Sequence, residues 1–159
     1  MNVAEIVLIL LLLIFAGFLA GTESALSSIS RIFVEEQGAL GTRSGKALRK
    51  FSTDPSRFLN VVLLVRKAAE FGAAALVAQI ALNEIANQKE ALGLTVLIMV
   101  VISYVVVGVG PRTLGKQHPQ RWARPGAILA VVLATVLSPV TKILIALGNA
   151  LTPGKGFKQ

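Results

Sequence analysis

The sequence has no cysteine and a single histidine, His118. The first absence excludes disulfides and thiolate metal sites, and the second argues against a histidine-based zinc centre. Aromatic residues make up only 6%, with one Trp and one Tyr. No basic helix with interleaved aromatics is present, so nucleic acid is not an expected partner. Acidic residues are also scarce, 8 Asp and Glu against 16 Lys and Arg, for a formal net charge of +8. No glycine-rich phosphate loop, paired histidines or serine–histidine arrangement occurs, and the chain is not expected to be an enzyme.

What the sequence does hold is apolar. Hydrophobic residues make up 54% and the mean hydropathy is +0.72. A soluble domain of this length has no interior large enough for them, and its charges would not be gathered into tracts. From Ala91 to Gly110, 20 residues carry no charge, the length of one bilayer crossing. The run breaks at Gly108, Gly110 and Pro111 into a tract with Arg112, Lys116, Arg121 and Arg124. Positive charge beside a membrane segment marks the cytoplasmic side and contact with lipid headgroups. The expected fold class is therefore an all-α integral membrane protein of the cell membrane.

Parity along the chain sets the topology. Residues 3–30 form a first crossing. Met1 to Gly21 has Glu5 as its only charge and no positive flank, while basic residues begin at Arg31. This is a retained helix with its amino terminus outside. Residues 31–57 are polar, helix-forming and net basic, hence cytoplasmic, with Asp54 as a helix cap before Pro55. The apolar segment 91–110 has Glu84, Lys89 and Glu90 before it and the basic tract after it, so it too runs inward. Some segment must return the chain to the outside, and only 58–82 can, although it contains Arg66, Lys67 and Glu70. Residues 126–151 are divided by Ser138-Pro139 and carry Lys142. Two half-helices forming a kinked juxtamembrane element at the inner interface, with Lys142 snorkelling, fit better than a fourth crossing. That leaves a membrane domain over 1–152, a tail at 153–159 and a cytoplasmic carboxyl terminus.

Three groups of residues can carry function. Glu23 shares the first helix with Ser24, Ser27 and Ser28, above a GxxxG pattern at Gly17 and Gly21. It is either part of a tight helix contact or a carboxylate beside hydroxyls suited to a hard cation. Arg66 and Lys67 stand four and three residues before Glu70, so they form either a structural ion-pair network or part of a solute pathway. The border of Gly108, Gly110 and Pro111 is either a helix terminus or an unwound turn with carbonyl oxygens aimed into the bundle.

Together these residues resemble the transmembrane domain of the CNNM/CorC family, often labelled hemolysin-like. The likeness runs through TESALSSISR at 22–31, EEQG at 35–38, DPSRFLNVVLL at 54–64 and GVGPRTLGK at 108–116. It implies a homodimer with three crossings per chain, a juxtamembrane helix after the third and cytoplasmic CBS domains beyond. It also implies Mg²⁺ export coupled to Na⁺ entry. On that likeness Glu23, Ser27, Ser28, Glu70, Gly108 and Gly110 are expected near the ion, with Arg66, Lys67, Pro111 and Arg112 in structural or pathway positions. The chain departs from the family where ligands are expected. Gly108 stands for a glutamate, Arg112 for a lysine, Ala20 for a serine, and Arg66 and Glu70 for asparagines. An alternative function follows, a membrane anchor or regulatory module in which an Arg66–Glu70 network replaces the ion.

Overall fold

The computed structural model describes residues 3–151, and the backbone alone for 142, 144, 145 and 147–151. Every regular element among the described residues is helical. The order is α1 (Val3–Ser28), α2 (Arg31–Ala39), α3 (Arg43–Thr53), α4 (Pro55–Glu84) and α5 (Gln88–Ile102). A π-helical segment (Ser103–Val109), α6 (Gly110–Gln117) and α7 (Pro119–Leu151) follow.

Local chemistry sets most of the boundaries. The Ser30, Thr42, Asp54 and Asn87 side chains accept hydrogen bonds from the N–H groups of Phe33, Gly45, Arg57 and Lys89, closing the amino ends of α2, α3, α4 and α5. Pro55 follows Asp54 at the first position of α4, where its missing N–H costs nothing. The α2–α3 turn needs Gly41, at φ 66°.

α1 and α4 lie antiparallel, since Glu23 meets Arg66 while Leu12 meets Gly72. Two apolar clusters hold the bundle. One joins Ile9, Leu13, Ala16 and Ala20 of α1 to Ala69 and Ala73 of α4, Met99 of α5 and Val107. The other joins Leu19 and Leu26 to the α2–α3 hairpin, to Phe58, Val61 and Val62, and to Ala123, Ala127, Ala130 and Ala134 of α7. The α7 alanines recur at helical spacing and press a flat face on the bundle, leaving Ile128, Val132, Val136 and Val140 exposed on another.

Three described stretches are long and apolar enough to cross a bilayer: Val3–Ser28, Gln88–Gln117 and Pro119–Thr141. α4 is not among them, because Arg66, Lys67 and Glu70 interrupt it. Composition therefore picks the first part of α7 where parity picks 58–82. α4 nonetheless packs along α1 and turns Arg66 inward.

Two local expectations are corrected. The border at Gly108–Pro111 does not unwind. Pro111 lacks an N–H and its ring crowds the carbonyl one turn back. The chain widens into the π segment instead, with the Gly110 N–H donating to the Val105 carbonyl, and helix resumes from Gly110 to Gln117. α7 likewise runs through both Pro125 and Pro139 rather than splitting at Ser138. Each proline removes one backbone bond while the flanking turns persist, and Arg57 donates to Ser138 Oγ (3.1 Å) to pin the helix there. The Lys142 side chain and the tail at 153–159 lie outside the described residues.

Candidate functional site

Small residues bring the helices close enough to build a site. Gly17 and Gly21 form the α1 face that receives α6 and α7. A Cβ on Gly17 would lie 2.9 Å from the Val106 carbonyl oxygen, and one on Gly21 would enter the Trp122 ring. Trp122 is held there by stacking on Phe18, with centroids 5.5 Å apart. Gly115 sits directly against the Gly21 backbone, and Gly126 against Thr22. This seam places Arg112 beside Glu23 and lets Ser24 Oγ donate to the Arg112 carbonyl at 3.0 Å.

Glu23 has two different sides. On one, a cavity of about 560 Å³ opens between α1 and the π–α6 segment. α1 contributes Glu23, Ser24, Ser27 and Ser28; the facing wall is Tyr104, Gly108, Val109, Arg112, Thr113 and Lys116. Each hydroxyl of Ser24, Ser27, Ser28 and Thr113 donates its hydrogen to a backbone carbonyl, at 2.8–3.0 Å. What these groups can still offer the cavity is lone pairs. Ser27 also borders a second cavity of about 530 Å³, which reaches Arg31 and Glu35 of α2 and Pro55 at the start of α4.

On the other side of Glu23 lies a buried charge cluster. The Arg66 side chain is 7% exposed, with Nη1 3.4 Å from Glu23 Oε2 and Nε 3.9 Å from Glu70 Oε1. Lys67 Nζ donates to Glu70 Oε2 at 2.9 Å, and Arg112 Nη2 stands 3.9 Å from Glu23 Oε2. Three cations thus share two carboxylates. Glu23 Oε2 and Arg66 Nε are buried with no hydrogen-bond partner, so the ion pairs are loose where charges are costly to hold. No group of three His, Cys, Asp or Glu that could hold a metal occurs among the described residues.

The structure therefore divides the residues singled out in the sequence. Glu23, Ser27, Ser28, Gly108 and Arg112 share the cavity, while Arg66, Glu70 and Lys67 sit behind it. Gly110 and Pro111 do neither: Pro111 packs on Gly17, and the Gly110 N–H bonds within the π segment. Sequence reading passed over Tyr104, Thr113 and Lys116 as lining residues. The signal was available, because 104, 108, 112 and 116 recur every four residues and share one helical face.

A family description, the cyclin M transmembrane N-terminal domain, matches residues 6–159. UPF0053 protein Rv2366c of Mycobacterium tuberculosis and UPF0053 protein Mb2387c of Mycobacterium bovis are each 36% identical to this chain over 143 residues. The aligned part is 90% of this chain and 33% of each relative. The UPF0053 inner membrane protein YfjD of Escherichia coli is 24% identical over the same share of both chains. The chain spans about a third of the length of these relatives.

Proposed function

The chain belongs to the CNNM family, matching its cyclin M transmembrane N-terminal domain, and from that premise we propose that it is a membrane ion-transport module with a hard-cation site at Glu23 and Mg²⁺ as the transported ion. One observation carries the reading. Around the Glu23 carboxylate, the serine and threonine hydroxyls of the cavity have already donated their hydrogens to backbone carbonyls, so they offer it lone pairs. Oxygen lone pairs beside a carboxylate suit a hard cation, and Mg²⁺ is commonly held by one or two carboxylates while keeping several waters. Export, coupled Na⁺ entry, a homodimer and CBS domains beyond the chain rest on the family resemblance.

In this reading α1, α4 and α5–α6 are the crossings and α7 is the juxtamembrane element. The packing supports placing both basic tracts at one end. Trp122 meets Gly21, and the Arg124 guanidinium lies 5.8 Å from the Phe33 ring centroid on α2. Under the positive-inside rule that end is cytoplasmic and the amino terminus is outside.

One contact favours a second reading. Arg66 Nη1 is 3.4 Å from Glu23 Oε2, so a guanidinium already partners the carboxylate an ion would use. The module would then be a non-transporting anchor or regulatory element. Purified protein in detergent and in liposomes separates the two. The transport reading expects Mg²⁺ to raise the melting temperature and cross the bilayer, with both effects lost in Glu23→Ala. A folded wild-type protein showing neither effect rejects it.

A further inference from the structure

Arg66 is the most deeply buried charge in the described bundle, and no hydrogen bond holds it. Its guanidinium lies between two carboxylates on different helices, 3.4 Å from Glu23 and 3.9 Å from Glu70. Nε has no hydrogen-bond partner, and neither does Glu23 Oε2. A purely structural buried arginine is normally locked by several short, often bidentate bonds. Arg66 instead touches each acid loosely.

From this geometry we infer that Arg66 is a resident competitor for the cation at Glu23: it neutralises Glu23 when the ion is absent and swings to Glu70 when the ion is bound. The inference rests on the cation reading of Glu23 and adds the regulation of that site. Charge sets its direction. Glu23 faces the guanidiniums of Arg66 and Arg112, and a divalent ion arriving beside both would meet strong like-charge repulsion at low dielectric. Moving Arg66 toward Glu70 removes the nearer of the two. Glu70 can receive it, because its other partner is Lys67, whose side chain is 48% exposed and can turn to water. The competitor lies on α4 and the cavity lies between α1 and α6, so binding at Glu23 alters the α1–α4 contact. A site that must displace its own cation favours an ion of higher charge density, divalent over monovalent.

The test is Mg²⁺ titration of the purified protein, read by calorimetry and thermal shift, with a melting transition establishing that each variant is folded. Arg66→Gln removes the competitor and keeps a shorter, neutral polar side chain. It should tighten Mg²⁺ binding by about tenfold or more, the sign opposite to that of a structural residue. Glu70→Gln removes the alternative partner and should weaken binding. Should Arg66→Gln not fold, the Glu70→Gln result decides: weaker binding supports the competitor, unchanged or tighter binding overturns it. Binding in Arg66→Gln where the wild type shows none overturns the exchange, because the guanidinium then blocks the site outright. Unchanged or weaker binding in folded Arg66→Gln overturns it while leaving the cation site standing. Binding that survives Glu23→Ala, or is absent from wild type and Arg66→Gln alike, rejects the cation site and the competitor together.

Discussion

Replacing Gly115 with alanine tests whether the seam between α1 and α6 positions the site. A Cβ at this position would overlap the Gly21 carbonyl oxygen, and would lie 3.0 Å from that carbonyl carbon and 3.2 Å from Gly21 Cα. All three are backbone atoms in the middle of α1, so no side chain can turn away. Relief requires α6 to retreat by roughly 1 Å, and a gap of that size forfeits about a quarter to a half of each van der Waals contact across the seam. Van der Waals packing is a main driving force for helix association in lipid, so this term matters. Overpacking typically costs about 1–3 kcal/mol. The Ser24–Arg112 hydrogen bond at 3.0 Å bridges the same two helices, and its loss adds about 0.5–1.5 kcal/mol. The sum, about 1.5–4.5 kcal/mol, corresponds to a fall in melting temperature of roughly 3–18 °C for a chain of this size. The control is Gly93→Ala in α5, where nothing lies within 4 Å of the added carbon. It should be neutral or gain up to about 1 kcal/mol from helix propensity. Thermal unfolding of the two variants in the same detergent makes the comparison. Equal stabilities would refute the close-approach argument, and with it the claim that glycine places Arg112 beside Glu23.

Two further substitutions test the end of the bundle formed by the α2–α3 hairpin. Asp54→Ala removes a side chain that accepts from the Arg57 N–H (3.2 Å) and the Ser56 hydroxyl (2.9 Å), so α4 should lose about 1 kcal/mol, measured by chemical denaturation, with Asp54→Asn retaining most of it. Leu48→Ala deletes a fully buried side chain that joins the hairpin to α4 and α7. It should cost about 2–5 kcal/mol and raise protease cleavage within α2–α3; a loss under 1 kcal/mol would mean the hairpin is not docked.

Much of the architecture was legible in one dimension. The uncharged run from Ala91 to Gly110, the charge break after it and the cap at Asp54-Pro55 are local signals. They depend on which residues are neighbours along the chain and on the cost of exposing polar groups to lipid. Parity assigned residues 58–82 a crossing, which hydropathy alone passes over because of Arg66, Lys67 and Glu70; the structure packs that segment along α1. The GxxxG pattern announced a close helix contact but not its partner, which proved to be Pro111, Gly115 and Trp122. Proline misled twice. At Pro111 the backbone widened, and at Pro139 the helix continued, because the turns on either side persist and a bond from Arg57 to the Ser138 hydroxyl ties the helix down there.

The sequence by itself determined that this chain is an all-helical membrane protein of the CNNM family, with acids and bases set into apolar segments. It also placed Glu23 among hydroxyls and Arg66 four residues before Glu70. Tertiary structure alone decided that Glu23 lies between a cavity walled by hydroxyls, Arg112 and Lys116 and a guanidinium from another helix, and that Pro111 and Gly110 stay outside that cavity. The reason is physical. Helix formation and membrane partition depend on periodicity and composition along one segment. Whether a buried carboxylate meets a cation, a lone pair or nothing depends on the rotation and spacing of three separate helices. Here Gly17, Gly21 and Gly115 set those through the approach they permit.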